Sequence, residues 1–320
     1  MIDSLLLNRA RGVLWGQAVG DALGTTVEFE RADAIAARHP TGHRELVGGG
    51  PFGLLPGQIT DDTELALCLA RSLAAQGRYD EDDAAGRYLA WCLGGPPDCG
   101  GTTRRAFGAA VKPGGAVAQT VRARASRDSQ ANGALMRVSP LAVFGCALEP
   151  EALARLAAAD ATLSHPHPVC VAANEVFCFA IAHALRTGAT GVEVFEATLT
   201  WARATPSCAE ALPTLEDARR ELPRDAFASM GWVRHALQAA FHQLLHARDF
   251  EQALVEVVGL GGDTDTNGCI AGALLGSVLG ADAIPARWVE VVRACRPRRP
   301  MAFWCHDLDA LAAALLEPRA

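Results

Sequence analysis

Two clusters of carboxylate and hydroxyl side chains lie far apart in this sequence, and both have the composition of a metal site. The first cluster is Thr60, Asp61, Asp62 and Thr63, and the second is Asp263, Thr264, Asp265 and Thr266. Each follows a glycine-containing segment and precedes residues with the apolar periodicity of an α-helix. Four aspartates brought together would repel one another unless cations neutralised them. The repeated pattern therefore predicts one cation site that both clusters share.

The ligand types indicate which cations would bind. Oxygen ligands with few histidines favour Mg²⁺ or Mn²⁺ over Zn²⁺. Four carboxylates with threonine hydroxyls suit a pair of ions about 3.5–4 Å apart. We therefore predict a binuclear centre that holds two divalent cations.

Two other interpretations of these clusters are open. Thr60 could simply cap a helix whose first turn carries aspartates, which favours the helix without any ligand. The second cluster also imitates the opening of a calcium-binding loop, through Asp263, Asp265, Asn267 and Gly268. The twelfth position of that loop requires glutamate, and Leu274 stands there.

Histidine and cysteine give no competing metal pattern. His165 and His167 have a spacing that zinc ligands use, but nothing in the sequence supplies the remaining ligands. None of the ten cysteines forms a Cys-x-x-Cys pair, and most lie among apolar residues, so we expect reduced thiols in the core. The six tryptophans are too scattered for a stacking platform and are predicted to be core residues; they are Trp15, Trp91, Trp201, Trp232, Trp288 and Trp304.

The segments that must position these residues have helical periodicity almost throughout. We predict a helix over residues 61–76 ending at Gly77, a helix capped by Asp80, and helices over 226–247 and 249–258. Further helices are expected to begin at Pro150, Pro168 and Pro285. Strand-like alternation is nearly absent, apart from a few residues around Thr26 to Phe29. The predicted fold is all-α, a single-domain orthogonal helical bundle over residues 1–320.

Composition excludes several classes of protein. A chain of 320 residues that is 50% hydrophobic and 20% charged can build a core, which excludes disorder as its main state. Its net charge of −7 argues against a general nucleic-acid-binding role, and we expect Arg293, Arg296, Arg298 and Arg299 to be solvated. We expect no membrane span, because no stretch reaches the roughly 20 apolar residues required. The first residues lack a basic segment, so we also expect no signal peptide and a cytoplasmic protein.

Five blocks of the sequence, in this order, resemble the ADP-ribosylglycohydrolase family. The blocks are Gly16 to Gly24 with Glu28 following, Gly57 to Glu64, Asn132 to Arg137, Ser164 to Pro168, and Gly261 to Gly268. The resemblance spans roughly residues 12–285. It implies an all-α fold with a binuclear magnesium or manganese centre, in agreement with the prediction made from the residues.

The resemblance also implies roles for individual residues. The metal ligands would be Thr60, Asp61, Asp62, Asp263, Asp265 and Thr266. The catalytic carboxylates would be Glu28, Asp62 and Asp98, with Asp98 near the scissile ribose. The substrate contacts would be Ser129, Asn132, Gly133, Met136 and His165, whereas His167 is expected to be a turn residue. In some relatives an aromatic residue that stacks on adenine stands where this chain has Gln130 and Ala131.

Together with the predicted cation site, the resemblance implies a metal-dependent hydrolase that removes ADP-ribose from protein side chains, most readily from arginine. Its substrate would be an ADP-ribosylated protein or a small ADP-ribose conjugate, with no nucleic acid or membrane as partner, and the chain is expected to be a monomer. Three alternatives are open: a hydrolase of serine-linked or O-acetyl-ADP-ribose, a magnesium-dependent nucleotide phosphohydrolase, and an inactive ADP-ribose-binding protein.

Overall fold

The computed structural model describes residues 2–110 and 115–317, and within these ranges it contains sixteen α-helices and no β-strand. The helices are α1 (Ser4–Gly24), α2 (Ala32–Arg38), α3 (Asp61–Gln76), α4 (Glu81–Leu93), α5 (Gly101–Phe107), α6 (Val117–Arg124), α7 (Ser139–Phe144), α8 (Pro150–Thr162), α9 (Pro168–Thr187), α10 (Gly191–Ala204), α11 (Leu212–Arg220), α12 (Val233–His246), α13 (Phe250–Val258), α14 (Thr264–Leu279), α15 (Ala286–Ala294) and α16 (Leu308–Leu316). The all-α prediction is confirmed.

Local capping chemistry sets several of the helix boundaries as predicted. Helix α3 ends at Gly77, whose φ of +67° is the left-handed conformation that favours glycine. The side chain of Asp80 accepts a hydrogen bond from the backbone nitrogen of Asp83 at the start of α4. Pro150 and Pro168 are the first residues of α8 and α9.

The predicted helix over residues 226–247 is wrong at its start. Helix α12 begins only at Val233, because Gly231 has a φ of +80° and the Val233 nitrogen donates to the carbonyl of Gln130. Residues 226–232 are therefore held as a turn against a distant loop. Pro285 also precedes its helix by one residue, since α15 begins at Ala286.

Helices α1 and α14 pack backbone against backbone through glycines repeated every four residues. These glycines are Gly12, Gly16, Gly20 and Gly24 on α1, and Gly268, Gly272 and Gly276 on α14. A Cβ atom at Gly16 would lie 2.1 Å from the carbonyl oxygen of Gly272, and a Cβ at Gly272 would lie 2.0 Å from that of Gly16. The contact therefore excludes any side chain, and it fixes the axial register of the two helices.

Helix α9 is long and apolar enough to span a membrane, with a mean hydropathy of 1.6 over its most apolar window. However, 83% of that window is buried, and α9 packs against α7, α8, α10 and α14. In the described part of the chain it has the surroundings of a core helix.

The structure agrees with the prediction for the cysteines but not with the prediction for Arg299. All ten cysteines are free thiols, as predicted. The expectation that Arg299 is solvated is wrong: its side chain is only 8% exposed, because it pairs with the buried carboxylate of Glu64. The Arg299 Nε and Nη2 atoms donate to Glu64 at 2.9 and 2.7 Å, and the indole of Trp91 donates to the same carboxylate.

Candidate active site

The two acidic clusters of the sequence meet where the first turns of α3 and α14 face each other. Thr60 caps α3, and Asp263 stands immediately before α14. The hydroxyl of Thr266 lies 3.4 Å from Oδ2 of Asp62, and the hydroxyl of Thr60 donates to the same oxygen at 3.0 Å. The structure thus brings together the residues that sequence reasoning assigned as metal ligands.

A pocket of about 210 Å³ opens above this junction. Asp61, Asp263, Asp265 and Thr266 line it. Thr60 and Asp62 are not among the lining residues, and they are only 0% and 1% exposed.

Glu28 and Asp98, the other predicted catalytic carboxylates, lie in the same pocket. Carboxylate oxygens of Glu28, Asp98 and Asp265 are all within 4.8 Å of one another. After burial, the negative charge of Asp98 raises the pKa of Asp61, and that of Glu28 raises the pKa of Asp265. Asp98 is therefore as close to the acidic cluster as the residues assigned as ligands.

The cluster has no positive partner in the part of the chain that the structure describes, where every ion pair lies elsewhere. Burial, followed by the negative charges of Asp263 and Asp98, raises the pKa of Glu28 to about 9. Burial and neighbouring carboxylates also raise the pKa values of Asp62 and Asp265 well above the usual range. These carboxylates must therefore bind either protons or cations.

Asp21, which sequence reasoning gave no role, holds the first cluster in place. It is fully buried on α1 and accepts hydrogen bonds from the backbone nitrogens of Thr60, at 3.0 and 3.1 Å, and of Thr63, at 3.1 Å. Burial raises its pKa to about 7. In the sequence, the signal for this role is the single carboxylate in the mostly apolar, glycine-rich part of α1 that spans residues 12–24.

The wall of the pocket comes from the loop before α7. Asn132, Gly133 and Met136 line the pocket, and the Asn132 amide nitrogen donates to Oδ2 of Asp263 at 2.6 Å. At Gly133 a Cβ would lie 2.9 Å from the Thr103 hydroxyl oxygen, so only glycine allows this close approach. Ser129 is not among the lining residues; its hydroxyl lies 2.8 Å from that of Thr102.

His165 also lines the pocket, although it is only 1% exposed. Its Nδ1 atom lies 2.8 Å from the hydroxyl of Ser164, which in turn accepts from Arg137. Arg137 forms an ion pair with Asp160 in which both side chains are 0% exposed. Sequence reasoning missed this pair, because nothing local to either residue indicates it.

The opening of the pocket carries two exposed apolar side chains, Phe29 and Met230. Phe29 has a φ of +63°, a strained conformation for a residue with a side chain. Two backbone hydrogen bonds hold it there: Phe29 donates to the carbonyl of Gly262, and Gly262 donates to that of Glu30. The loop that carries Glu28 is thus tied to the loop that carries Asp263.

Trp232 lies at the surface beside this opening, so its assignment as a core residue is wrong. It is 36% exposed, and its indole nitrogen donates to the side-chain oxygen of Gln130 at 2.9 Å. Trp15, Trp91 and Trp288 are buried, as predicted. Trp201 and Trp304 are partly buried.

Comparison with known proteins agrees with this architecture. The ADP-ribosylglycohydrolase family model matches residues 3–320. The chain is 35% identical to the ADP-ribosyl-(dinitrogen reductase) glycohydrolase of Rhodospirillum rubrum over 289 residues, which are 88% of this chain and 90% of that protein. It is 29% identical to the ADP-ribosylarginine hydrolase Tri1 of Serratia proteamaculans, over 90% of this chain and 76% of that one.

A solved structure of an ADP-ribosylglycohydrolase-related protein complex has the same fold. It matches with a TM-score of 0.79 at 34% identity, and the match covers 97% of this chain and 98% of the other. The chain belongs to the ADP-ribosylglycohydrolase family. The resemblance inferred from five sequence blocks is confirmed.

Proposed function

We propose that this protein is a metal-dependent hydrolase that cleaves the N-glycosidic bond between ADP-ribose and an arginine side chain. The observation that carries the proposal is the convergence of Glu28, Asp98 and Asp265 within 4.8 Å in a pocket whose other walls could hold a substrate. Family membership makes an ADP-ribosyl bond the first bond to test.

The donor set fits two divalent cations. The Oδ1 atom of Asp62 and the Oε2 atom of Glu28 are buried and make no hydrogen bond among the described residues. Several carboxylate and hydroxyl oxygens that lie close together are ligands that suit Mg²⁺ or Mn²⁺. We propose that Thr60, Asp61, Asp62, Asp263, Asp265 and Thr266 hold the ions. When bound, such ions lower the pKa of water and orient hydroxyl groups.

The remaining residues supply positioning and proton transfer. Hydrolysis at an anomeric carbon requires a group that takes a proton from water and a group that assists the leaving nitrogen. Glu28 and Asp98 both present carboxylates to the pocket, and we assign these two tasks to them. The walls formed by Asn132, Gly133 and His165 exclude water and fix the ADP-ribosyl group.

The preference for arginine is assigned to Asp98. A carboxylate can pair bidentately with a guanidinium group, whereas it offers little to a neutral serine oxygen. The relatives from Serratia proteamaculans and Pseudomonas putida are named ADP-ribosylarginine hydrolases, which supports the same linkage.

The test is an incubation with ADP-ribosyl-arginine, in the presence of Mg²⁺, Mn²⁺ or a chelator, followed by mass spectrometry. Release of intact ADP-ribose and free arginine, dependent on the added metal, is expected. Release of AMP would identify a phosphohydrolase instead, and binding without any product would identify a binding protein. Asp265→Asn should abolish turnover, whereas Asp282→Asn, which changes an exposed carboxylate outside the pocket, should not.

A further inference from the structure

His165 occupies an unusual position for a histidine at a pocket. The side chain is almost completely buried, and its Nε2 atom has no hydrogen-bond partner among the described residues. The Nε2 and Cε1 atoms lie 3.2 and 3.0 Å from the point where Gly133 would carry a Cβ. The Nε2 atom is itself buried, and since Gly133 and His165 both line the pocket, it lies within the pocket wall against Gly133.

The opposite side of the ring is held by a chain of hydrogen bonds that begins at Arg137. The guanidinium Nη1 donates to the Ser164 hydroxyl at 2.8 Å and to the carbonyl of Gly133 at 3.0 Å. Its Nε and Nη2 atoms donate to the side chain and the carbonyl of Asp160, at 3.0 and 2.8 Å. An arginine has only donors, so the Ser164 oxygen must accept.

The Ser164 hydroxyl hydrogen then has one acceptor. Ser164 is 0% exposed, so leaving its O–H without a partner would cost free energy. Apart from Arg137, the described residues place only Nδ1 of His165 within hydrogen-bond distance of this oxygen, at 2.8 Å. Ser164 therefore donates to Nδ1, and a neutral ring must carry its own hydrogen on Nε2.

We propose that Arg137 and Ser164 hold His165 in the Nε2-protonated tautomer, so that His165 is an uncharged hydrogen-bond donor in the pocket. The inference rests on the proposed function only in taking the acceptor to be an oxygen of the ADP-ribosyl group. Arg137 and Ser164 are positioning residues, because neither reaches the pocket lining. Burial and the positive charge of Arg137 lower the pKa of His165 to about 3, which agrees with a neutral ring.

This arrangement excludes two roles that histidines often take. With its Nδ1 atom accepting from Ser164 and its Nε2 atom protonated, the ring has no free lone pair for a metal ion or for a proton from water. His165 therefore contributes to binding in the same way across the physiological pH range.

The tautomer can be measured directly in the free protein, independently of turnover. Long-range proton–nitrogen correlation spectra of protein labelled with ¹⁵N-histidine report which ring nitrogen carries hydrogen, and His165→Gln assigns the signals. We expect protonated Nε2 and unprotonated Nδ1 from about pH 5 to pH 8, the range in which an ordinary histidine titrates. A ring that is protonated on Nδ1, or that titrates in this range, would overturn the proposal.

A second test removes the hydroxyl of Ser164, which positions the His165 ring. Ser164→Ala should give a mixture of tautomers, raise the Kd for ADP-ribose about tenfold, and change kcat by less than about twofold. Ser277→Ala is the matched control, because Ser277 is equally buried and donates to a helix carbonyl of Leu274. A Ser164→Ala protein with unchanged tautomer and unchanged ADP-ribose affinity would also overturn the proposal.

A third variant separates this inference from the proposed function. Arg137→Lys keeps the positive charge but cannot make the same set of hydrogen bonds, so it should disturb the His165 tautomer even where folding is retained. If the wild-type protein shows the expected tautomer and binds ADP-ribose but releases no product, the proposed hydrolase activity fails while this inference stands.

Discussion

The amide nitrogen of Asn132 lies 2.6 Å from Oδ2 of Asp263, which joins the loop before α7 to the acidic cluster of the pocket. Sequence reasoning placed Asn132 with the substrate contacts only. An amide that donates to a carboxylate fixes which of its oxygens remains available to a cation, so at the proposed metal site this contact would couple metal binding to the conformation of the loop.

Asn132→Ala should therefore weaken metal binding as well as substrate binding. We expect the affinity for Mn²⁺ to fall about tenfold, within the range seen when a hydrogen bond to a metal ligand is removed. Titration calorimetry measures this affinity. Gln130→Ala is the control, since Gln130 lies in the same loop but contacts Trp232 and His167. Equal Mn²⁺ affinity in Asn132→Ala and wild type would show that the contact has no part in metal binding.

The stability of the metal-free protein should fall as pH rises. Burial raises the pKa values of Asp21 and Glu28 to about 7 and about 9, above their unfolded values of roughly 4. Such groups stabilise the fold fully below the unfolded pKa, and this contribution is lost as pH rises through the folded value. At the proposed metal site divalent cations would replace these protons, so the increase in Tm on adding Mn²⁺ should be larger at pH 8 than at pH 5. An equal increase at both values would contradict the prediction.

The proposed preference for arginine-linked ADP-ribose is assigned to Asp98. Asp98→Asn keeps the shape of the side chain but removes the charge that a guanidinium requires, so hydrolysis of ADP-ribosyl-arginine should fall by at least about a hundredfold. Activity toward a serine-linked peptide, if any is present, should fall less. Parallel assays of both substrates measure the ratio. Efficient wild-type release from serine with little release from arginine would refute the linkage while leaving a glycohydrolase in place.

The buried ion pair between Glu64 and Arg299 should be needed for stability. Arg299→Met leaves the carboxylate of Glu64 buried without its charge partner, which typically costs about 3–5 kcal/mol. Adding Glu64→Gln to this variant should recover a large part of the loss. Urea unfolding measures both values.

A surface pair provides the comparison for this ion pair. Arg224 pairs with Glu221, and their side chains are 83% and 44% exposed. Arg224→Met should therefore change the free energy of unfolding far less than Arg299→Met does. Similar losses in Arg224→Met and Arg299→Met would show that burial of the Glu64 pair has no energetic consequence.

The glycine contact between α1 and α14 should tolerate no side chain. In Gly20→Ala the new Cβ would lie 2.1 Å from the carbonyl oxygen of Gly268, so the helices must separate, and we expect a loss of several kcal/mol, beyond the usual range of about 0.5–3. Gly86→Ala on α4 is the control, since nothing lies within 4 Å of its Cβ position. That variant should be neutral or stabilise the helix by up to about 1 kcal/mol. Thermal unfolding distinguishes the two.

The parts of the site that could be predicted from the sequence are those whose chemistry is local. Asp61 and Asp62 stand together at a helix start, and Asp263 and Asp265 repeat this arrangement, so residue type and spacing sufficed to group them. Helix boundaries set by a local cap, such as Asp80 or Gly77, were also predictable.

The parts that could not be predicted depend on contacts between distant segments. The bonds from Thr60 and Thr63 to Asp21 span about forty residues of chain, and those from Arg299 to Glu64 span far more. The start of α12 was predicted seven residues too early for the same reason. Its residues 226–232 have an acceptable helical pattern, but Gly231 and the bond from Val233 to Gln130 hold them as a turn.

The close packing of α1 on α14 has a consequence for the synthesis of this protein. One helix leaves the ribosome first, and the other follows after more than two hundred further residues. Until α14 is made, the glycine face of α1 lacks the helix whose backbone packs directly against it. Asp61 and Asp62 likewise lack the acidic residues at the start of α14. A nascent chain that stops before α14 therefore cannot assemble the acidic cluster. The proposed cation site would therefore exist only in chains in which both ends of the fold have met.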